Sequence, residues 1–138
     1  MAAIPDIAPA ETWAAMQNDP AAMLVDVRTD AEWNFVGIPD LVDAGKRVVL
    51  IPWQVYPSMA VNSHFTEALR KGGVLPEHRV YFICRSGARS LAAAQAAQAA
   101  GYAAVFNVAD GFEGPVDRDG HRGQAAGWKA AGLPWVQR

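Results

Sequence analysis

Four short apolar runs constrain this chain more than any other feature of it. Met23-Leu-Val-Asp-Val27, Val48-Val-Leu-Ile51, Val80-Tyr-Phe-Ile83 and Ala104-Val-Phe-Asn-Val108 are rich in β-branched and aromatic residues. Each is too short for a buried helix and reads as a buried strand. Helical stretches separate them. Glu11 to Asp19 is entered through Pro9 and stopped by Pro20. Thr29-Asp-Ala-Glu32 matches a capping box, so a short helix is expected over Ala31 to Phe35, ended by Gly37 and Pro39. Ser63 to Lys71 is helical and closed by Gly72-Gly73. Ser90 to Ala100 is alanine-rich, with Gly101 just past its end. A last short helix is expected over Trp128 to Ala131. Strands that alternate with helices predict an α/β domain with a mainly parallel sheet.

Composition narrows the function classes. The 138 residues are 51% hydrophobic and 19% charged, which fits one globular domain with a real core. The net charge of −2 offers no general attraction to nucleic acid or an anionic membrane. No stretch approaches a membrane span, and the first residues lack a basic, then apolar, leader, so a cytoplasmic location is expected. One cysteine excludes an internal disulfide and a multi-cysteine zinc site. His64, His78 and His121 are scattered, so neither a metal nor another cofactor is expected.

In parallel sheets ligands bind at the carboxyl ends of the strands. Cys84 is the first residue after the third run, and Cys84-Arg-Ser-Gly-Ala-Arg-Ser90 joins that strand to a helix. The loop must curl, and Gly87 tolerates the required positive φ. A curled loop entering a helix turns backbone N–H groups inward as an anion nest, and the helix adds its positive end. Arg85 and Arg89 add formal charge. All three favour the thiolate, which is the nucleophile. A cysteine ending an apolar strand is often an inert small hydrophobe, but an inert one has no need of a basic, glycine-bearing turn.

These residues resemble the rhodanese family of sulfurtransferases in its single-domain form. The likeness lies in Leu24-Val-Asp-Val-Arg-Thr-Asp-Ala-Glu-Trp33, in Val80 to Ser90 with Ala100-Gly-Tyr102, and in Val105-Phe-Asn-Val-Ala-Asp-Gly111 with Gly127-Trp-Lys-Ala-Ala-Gly-Leu-Pro134. The chain departs from the family at Val36-Gly-Ile-Pro-Asp40, which lacks a histidine, and at Phe112 to Ala126, which splits the closing segment. The resemblance implies one rhodanese domain over residues 1–138, with an inserted surface loop at 112–126. It implies about five strands with helices on both faces. It also implies a mechanism: Cys84 takes a sulfane sulfur from a small anionic donor such as thiosulfate and passes it to cyanide, an external thiol or a protein acceptor. With no second cysteine, the acceptor thiol must come from another molecule.

The expected roles follow. Amides of Arg85, Ser86, Gly87, Ala88 and Arg89 would cradle the sulfur, as an oxyanion hole does. Arg89 could meet an anionic donor or hold loop carbonyls. Ser90 looks like the helix start, its hydroxyl a cap or a partner for the sulfur. Asp26, Arg28 and Glu32 are expected to support the site, with Arg28 pairing to Glu32 or to loop carbonyls. Trp53 and Phe112 could wall the pocket or pack in the core. His121, with Asp117, Arg118, Asp119 and Arg122, is expected on a solvated surface. Two rivals stand beside this reading. One is a phosphatase or arsenate reductase, whose loop reads C-x5-R where this chain has C-x4-R and Ser90. The other is a persulfide carrier serving a dedicated protein partner.

Overall fold

A computed structural model describes residues 3–137. The chain runs β1 (Asp6–Ile7), α1 (Pro9–Asn18), β2 (Ala22–Asp26), α2 (Asp30–Phe35), β3 (Ile38–Pro39), a 3-10 turn (Val42–Ala44), β4 (Val49–Leu50), β5 (Gln54–Val55), β6 (Ala60–Val61), α3 (Phe65–Lys71), β7 (Arg79–Ile83), α4 (Ala88–Ala99), β8 (Ala104–Val108) and β9 (Trp135–Val136). Five strands form one sheet in the order β1-β8-β7-β2-β4, and every pairing in it is parallel. β3 pairs with β9 and β5 with β6, each antiparallel.

The period of two along each strand sorts side chains between two cores. Val80, Phe82 and Cys84 face the layer of α3 and α4, with Val25, Val27, Phe65, Leu69, Ala93, Ala97, Tyr102 and Val105. Tyr81 and Ile83 face the other way, with Met16, Leu24, Leu41, Val108, Phe112 and Trp128. Alanines let α4 approach the sheet closely, and Ala93, Ala94 and Ala97 are fully buried there. The register aligns Asp26 with Ile83 and Phe82 with Asn107. Cys84 therefore leaves the sheet on the α4 face, while Asp26 leaves the neighbouring strand on the opposite face.

Three expectations change. Trp128 to Ala131 is a chain of turns, not a helix. The backbone N–H groups of Trp128 and Lys129 donate to the carbonyls of Gly111 and Phe112 at 2.8 and 3.1 Å, so long-range bonds anchor a segment that makes one helical-type bond, from Ala131 N–H to the Gly127 carbonyl at 3.0 Å. α4 begins at Ala88 with Gly87 as its cap, so Ser90 lies inside the first turn. β1 and the two small antiparallel pairs are two-residue strands with no pattern of their own in the sequence.

Candidate active site

The Cys84 sulfur sits at the end of β7, only 1% exposed. Gly87 adopts φ 116° and turns its N–H inward to donate to Sγ at 3.1 Å. A hydrogen bond to a charged acceptor contributes about 1.5–3 kcal/mol, so this amide favours the anionic sulfur over the neutral one. α4 runs from this point for 12 residues, and its N-terminal end faces the same atom. Ser90 Oγ lies 3.2 Å from Sγ. That hydroxyl is fully buried and also reaches the Gly87 carbonyl at 3.2 Å and the side-chain oxygen of Asn107.

The outer wall of the loop is held from behind. The N–H of Phe112 donates to the Cys84 carbonyl at 2.8 Å. Those of Glu113 and Gly114 donate to the Arg85 carbonyl at 3.0 and 3.1 Å. With these carbonyls directed at residues 112–114, they are drawn away from the sulfur. Gly111 permits the approach: a Cβ there would lie 2.4 Å from the Cys84 carbonyl oxygen. Arg122 donates to the Gly114 carbonyl at 2.8 Å, bracing the same segment. The stretch after Gly111 thus starts as buried support for the loop, with Phe112 and Gly114 buried, and becomes exposed at Pro115, Val116 and Arg118 to His121.

The supporting charges pair differently from one expectation. Arg89, not Arg28, binds Glu32, through two bonds of 2.7 and 2.9 Å. The two terminal guanidinium nitrogens of Arg89 engage the two carboxylate oxygens of Glu32 end-on, which links α4 to α2. Glu32 also completes the capping box: the Thr29 hydroxyl accepts from its N–H, and its carboxylate accepts from the Thr29 N–H. Burial alone would raise the Glu32 carboxyl, but the hydrogen bonds and charge of Arg89 outweigh it and hold it below its ordinary value. The same bond raises Arg89 further, with the Cys84 charge a lesser cause. Arg28 instead forms a buried pair with Asp26 at 2.6 Å and donates to the Gly37 carbonyl at 2.7 Å. Its guanidinium lies 4.3 Å over the Phe112 ring. Asp26, Arg28 and Phe112 therefore brace the far face of the sheet. They do not line the sulfur.

Arg85, Ser86 and Ala88 are exposed on the outer side of the loop. Trp53 is half-buried and packs edge-on to Phe65 at 5.2 Å, against the α3 side of the core. Asp6 and Asn107 were not singled out from the sequence. Asn107 carried a signal nonetheless: it shares with Val105 the inward phase of a buried strand, where a polar side chain needs a partner. Among the described residues no group of three or more His, Cys, Asp or Glu side chains could hold a metal, and no helix is long and apolar enough to cross a membrane.

The family model for the STR4 middle domain matches residues 7–138. An uncharacterised protein of Rickettsia conorii, RC0915, is 39% identical over 115 residues, covering 83% of this chain and 82% of its own. The chloroplastic protein THYLAKOID RHODANESE-LIKE of Oryza sativa subsp. indica is 30% identical over 131 residues, which are 94% of this chain and 25% of that one. Among solved structures, Rv0390 from M. tuberculosis is 45% identical with a TM-score of 0.89, covering 99% of this chain and 100% of that one. The polysulfide-sulfur transferase homodimer of Wolinella succinogenes shares the fold at 23% identity and a TM-score of 0.64, covering 98% and 80%.

Proposed function

Because the chain belongs to the STR4 middle-domain family and is rhodanese-like, we propose that it is a sulfurtransferase working through a persulfide on Cys84. The observation that carries this reading is the Gly87 N–H on Sγ at the positive end of α4. A sulfur held there is stabilised as an anion both before and after it acquires a second sulfur.

The chemistry balances in two steps. The Cys84 thiolate attacks the outer sulfur of thiosulfate; a new S–S bond forms, the old one breaks, and sulfite leaves with the electron pair. An acceptor thiolate, or cyanide in an assay, then attacks the outer sulfur of Cys84–S–S−. The Cys84–sulfur bond breaks, the thiolate returns, and the acceptor leaves as a persulfide or thiocyanate. The sulfur of Cys84 meets one amide, that of Gly87, and one hydroxyl, that of Ser90. Arg89 is engaged with Glu32, so it serves first to fix α4 against α2 and only secondarily as a positive field for the donor.

Incubation with thiosulfate and measurement of the intact mass tests the reading. One added sulfur atom is expected, absent in Cys84→Ser and removed by a reducing thiol. No gain with thiosulfate, mercaptopyruvate or a persulfide donor overturns it. Sulfur uptake with poor turnover to cyanide points to the carrier form, and Cys84-dependent hydrolysis of p-nitrophenyl phosphate to the phosphatase form.

A further inference from the structure

A chain of polar groups leads outward from the sulfur: the buried Cys84 Sγ, Ser90 hydroxyl and Asn107 amide, and then the exposed Asp6 carboxylate. Each link constrains the next. Asn107 Nδ2 donates to Asp6 Oδ1 at 3.0 Å and to the Gly87 carbonyl at 3.2 Å. The nitrogen is therefore committed, and the side-chain oxygen must face Ser90. Register fixes this arrangement, since Asp6 of β1 lies opposite Asn107 of β8. Ser90 has one hydroxyl proton and three acceptors within reach: the Gly87 carbonyl, Asn107 Oδ1 and Sγ. The Asn107 contact is the shortest of the three.

While the Ser90 proton is on Asn107, the hydroxyl oxygen presents lone pairs to Cys84. It can then accept from a thiol but has nothing to offer an anionic sulfur. We propose that Asn107 is a positioning residue that sets which way the Ser90 hydroxyl faces, and so how much charge Cys84 can hold. Where the sulfur is a thiol, Asn107 takes the Ser90 proton and the thiol donates to Ser90. When the sulfur becomes anionic, the hydroxyl turns from Asn107 to Sγ. The inference rests on Cys84 being the reacting thiol. Other charges act on that sulfur as well: Arg85 from the loop, Arg89 paired with Glu32 from α4 and α2, Asp6 behind Asn107, and the Asp26–Arg28 pair across β2. The neutral substitution described next keeps these formal charges but removes the Nδ2 donations to Asp6 and to the Gly87 carbonyl, a loss that the Ser90→Ala background shares.

The rate of Cys84 alkylation by iodoacetamide, followed across a pH series, reads the effect without any sulfur transfer. Asn107→Leu removes the nearest competing acceptor and leaves the hydroxyl to be shared between the sulfur and the Gly87 carbonyl, each at 3.2 Å. It should raise the rate at neutral pH about three- to tenfold and move the profile to lower pH. Asn107→Asp keeps the shape, strengthens the competing acceptor and adds negative charge, so its rate should fall and its profile move up. In a Ser90→Ala background Asn107→Leu should do nothing further. A merely structural role would leave the profile where it is or move both variants the same way. Either result, or a Leu effect that persists without the Ser90 hydroxyl, overturns the proposal. If Asn107→Leu does not fold, Asn107→Asp with and without Ser90 decides it: its loss of rate must be larger when the hydroxyl is present. Sulfur uptake by the unsubstituted protein is scored separately. Failure of uptake with the alkylation pattern intact removes the sulfurtransferase reading and leaves this one standing.

Discussion

Glu32 shows how one side chain can brace the Cys84 turn from a neighbouring helix. It caps α2 with one set of hydrogen bonds and ties α4 with another. Glu32→Gln keeps the capping pattern, because glutamine serves the same box, but loses the charge that meets Arg89. The pair is about one-fifth exposed, so solvent screens it in part. A loss of about 1–2 kcal/mol is expected, read from urea midpoints. The pH dependence has a definite sign. The folded carboxyl lies below its ordinary value, so its contribution is full above the unfolded value and is lost as pH falls through the folded one. Stability of the unsubstituted protein should fall on the acid side, and the difference from Glu32→Gln should shrink there. Gly87 is the other residue whose identity matters by itself. Its surroundings leave space for a methyl group, but φ 116° does not. Gly87→Ala should cost about 1–3 kcal/mol and slow Cys84 alkylation, because relief of the strain turns the amide away from Sγ. At this scale much could be read in advance. Cys84, the loop and the Thr29–Glu32 cap declare themselves in local spacing. The partner of Arg89 does not, because 57 residues separate it from Glu32 and no local rule links them.

The elements repeat that division. Runs of apolar residues announced β2, β4, β7 and β8, and the proline and glycine punctuation announced α1 and α3. The segment after β8 was harder. It resembles a loop by composition, yet Gly111 to Gly114 forms the backing of the active-site turn. Its order comes from backbone bonds to residues far away in sequence, which composition does not record. The local pattern predicts a helix from Trp128 for the same reason. Trp128 is instead an anchor, fully buried, with its indole N–H donating to the Pro134 carbonyl at 2.7 Å. Gly111→Ala tests the backing directly. The added methyl would overlap the Cys84 and Arg85 backbone, and the residue holds φ 62°. A loss of about 2–4 kcal/mol is expected in urea unfolding, with slower Cys84 alkylation beyond what unfolding explains.

For the molecule as a whole, the two faces of the sheet divide the labour. The α4 face carries the sulfur, Ser90 and Asn107, while the opposite face carries Asp26, Arg28 and Phe112. The parallel order was legible from the alternation of elements. The place of β1 was not, because two residues carry no period, although that strand brings Asp6 to Asn107. The only thiol is buried, so reagent size should matter to the whole fold. A small alkylating agent should reach Cys84 in the native protein, whereas a bulky aromatic disulfide should react mainly as urea unfolds it. Coincidence of that reaction with the loss of far-ultraviolet circular dichroism is the measurement.

The amides of Phe112, Glu113 and Gly114 close on the carbonyls of Cys84 and Arg85 in the turn after β7. Their hydrogens therefore exchange with solvent only when the turn lets go of them. Deuterium uptake at three backbone sites, none of them in the turn itself, becomes a clock for its opening. A sulfur donor that tightens the turn would slow that clock, and the slowing could be followed in a protein whose cysteine had never been labelled.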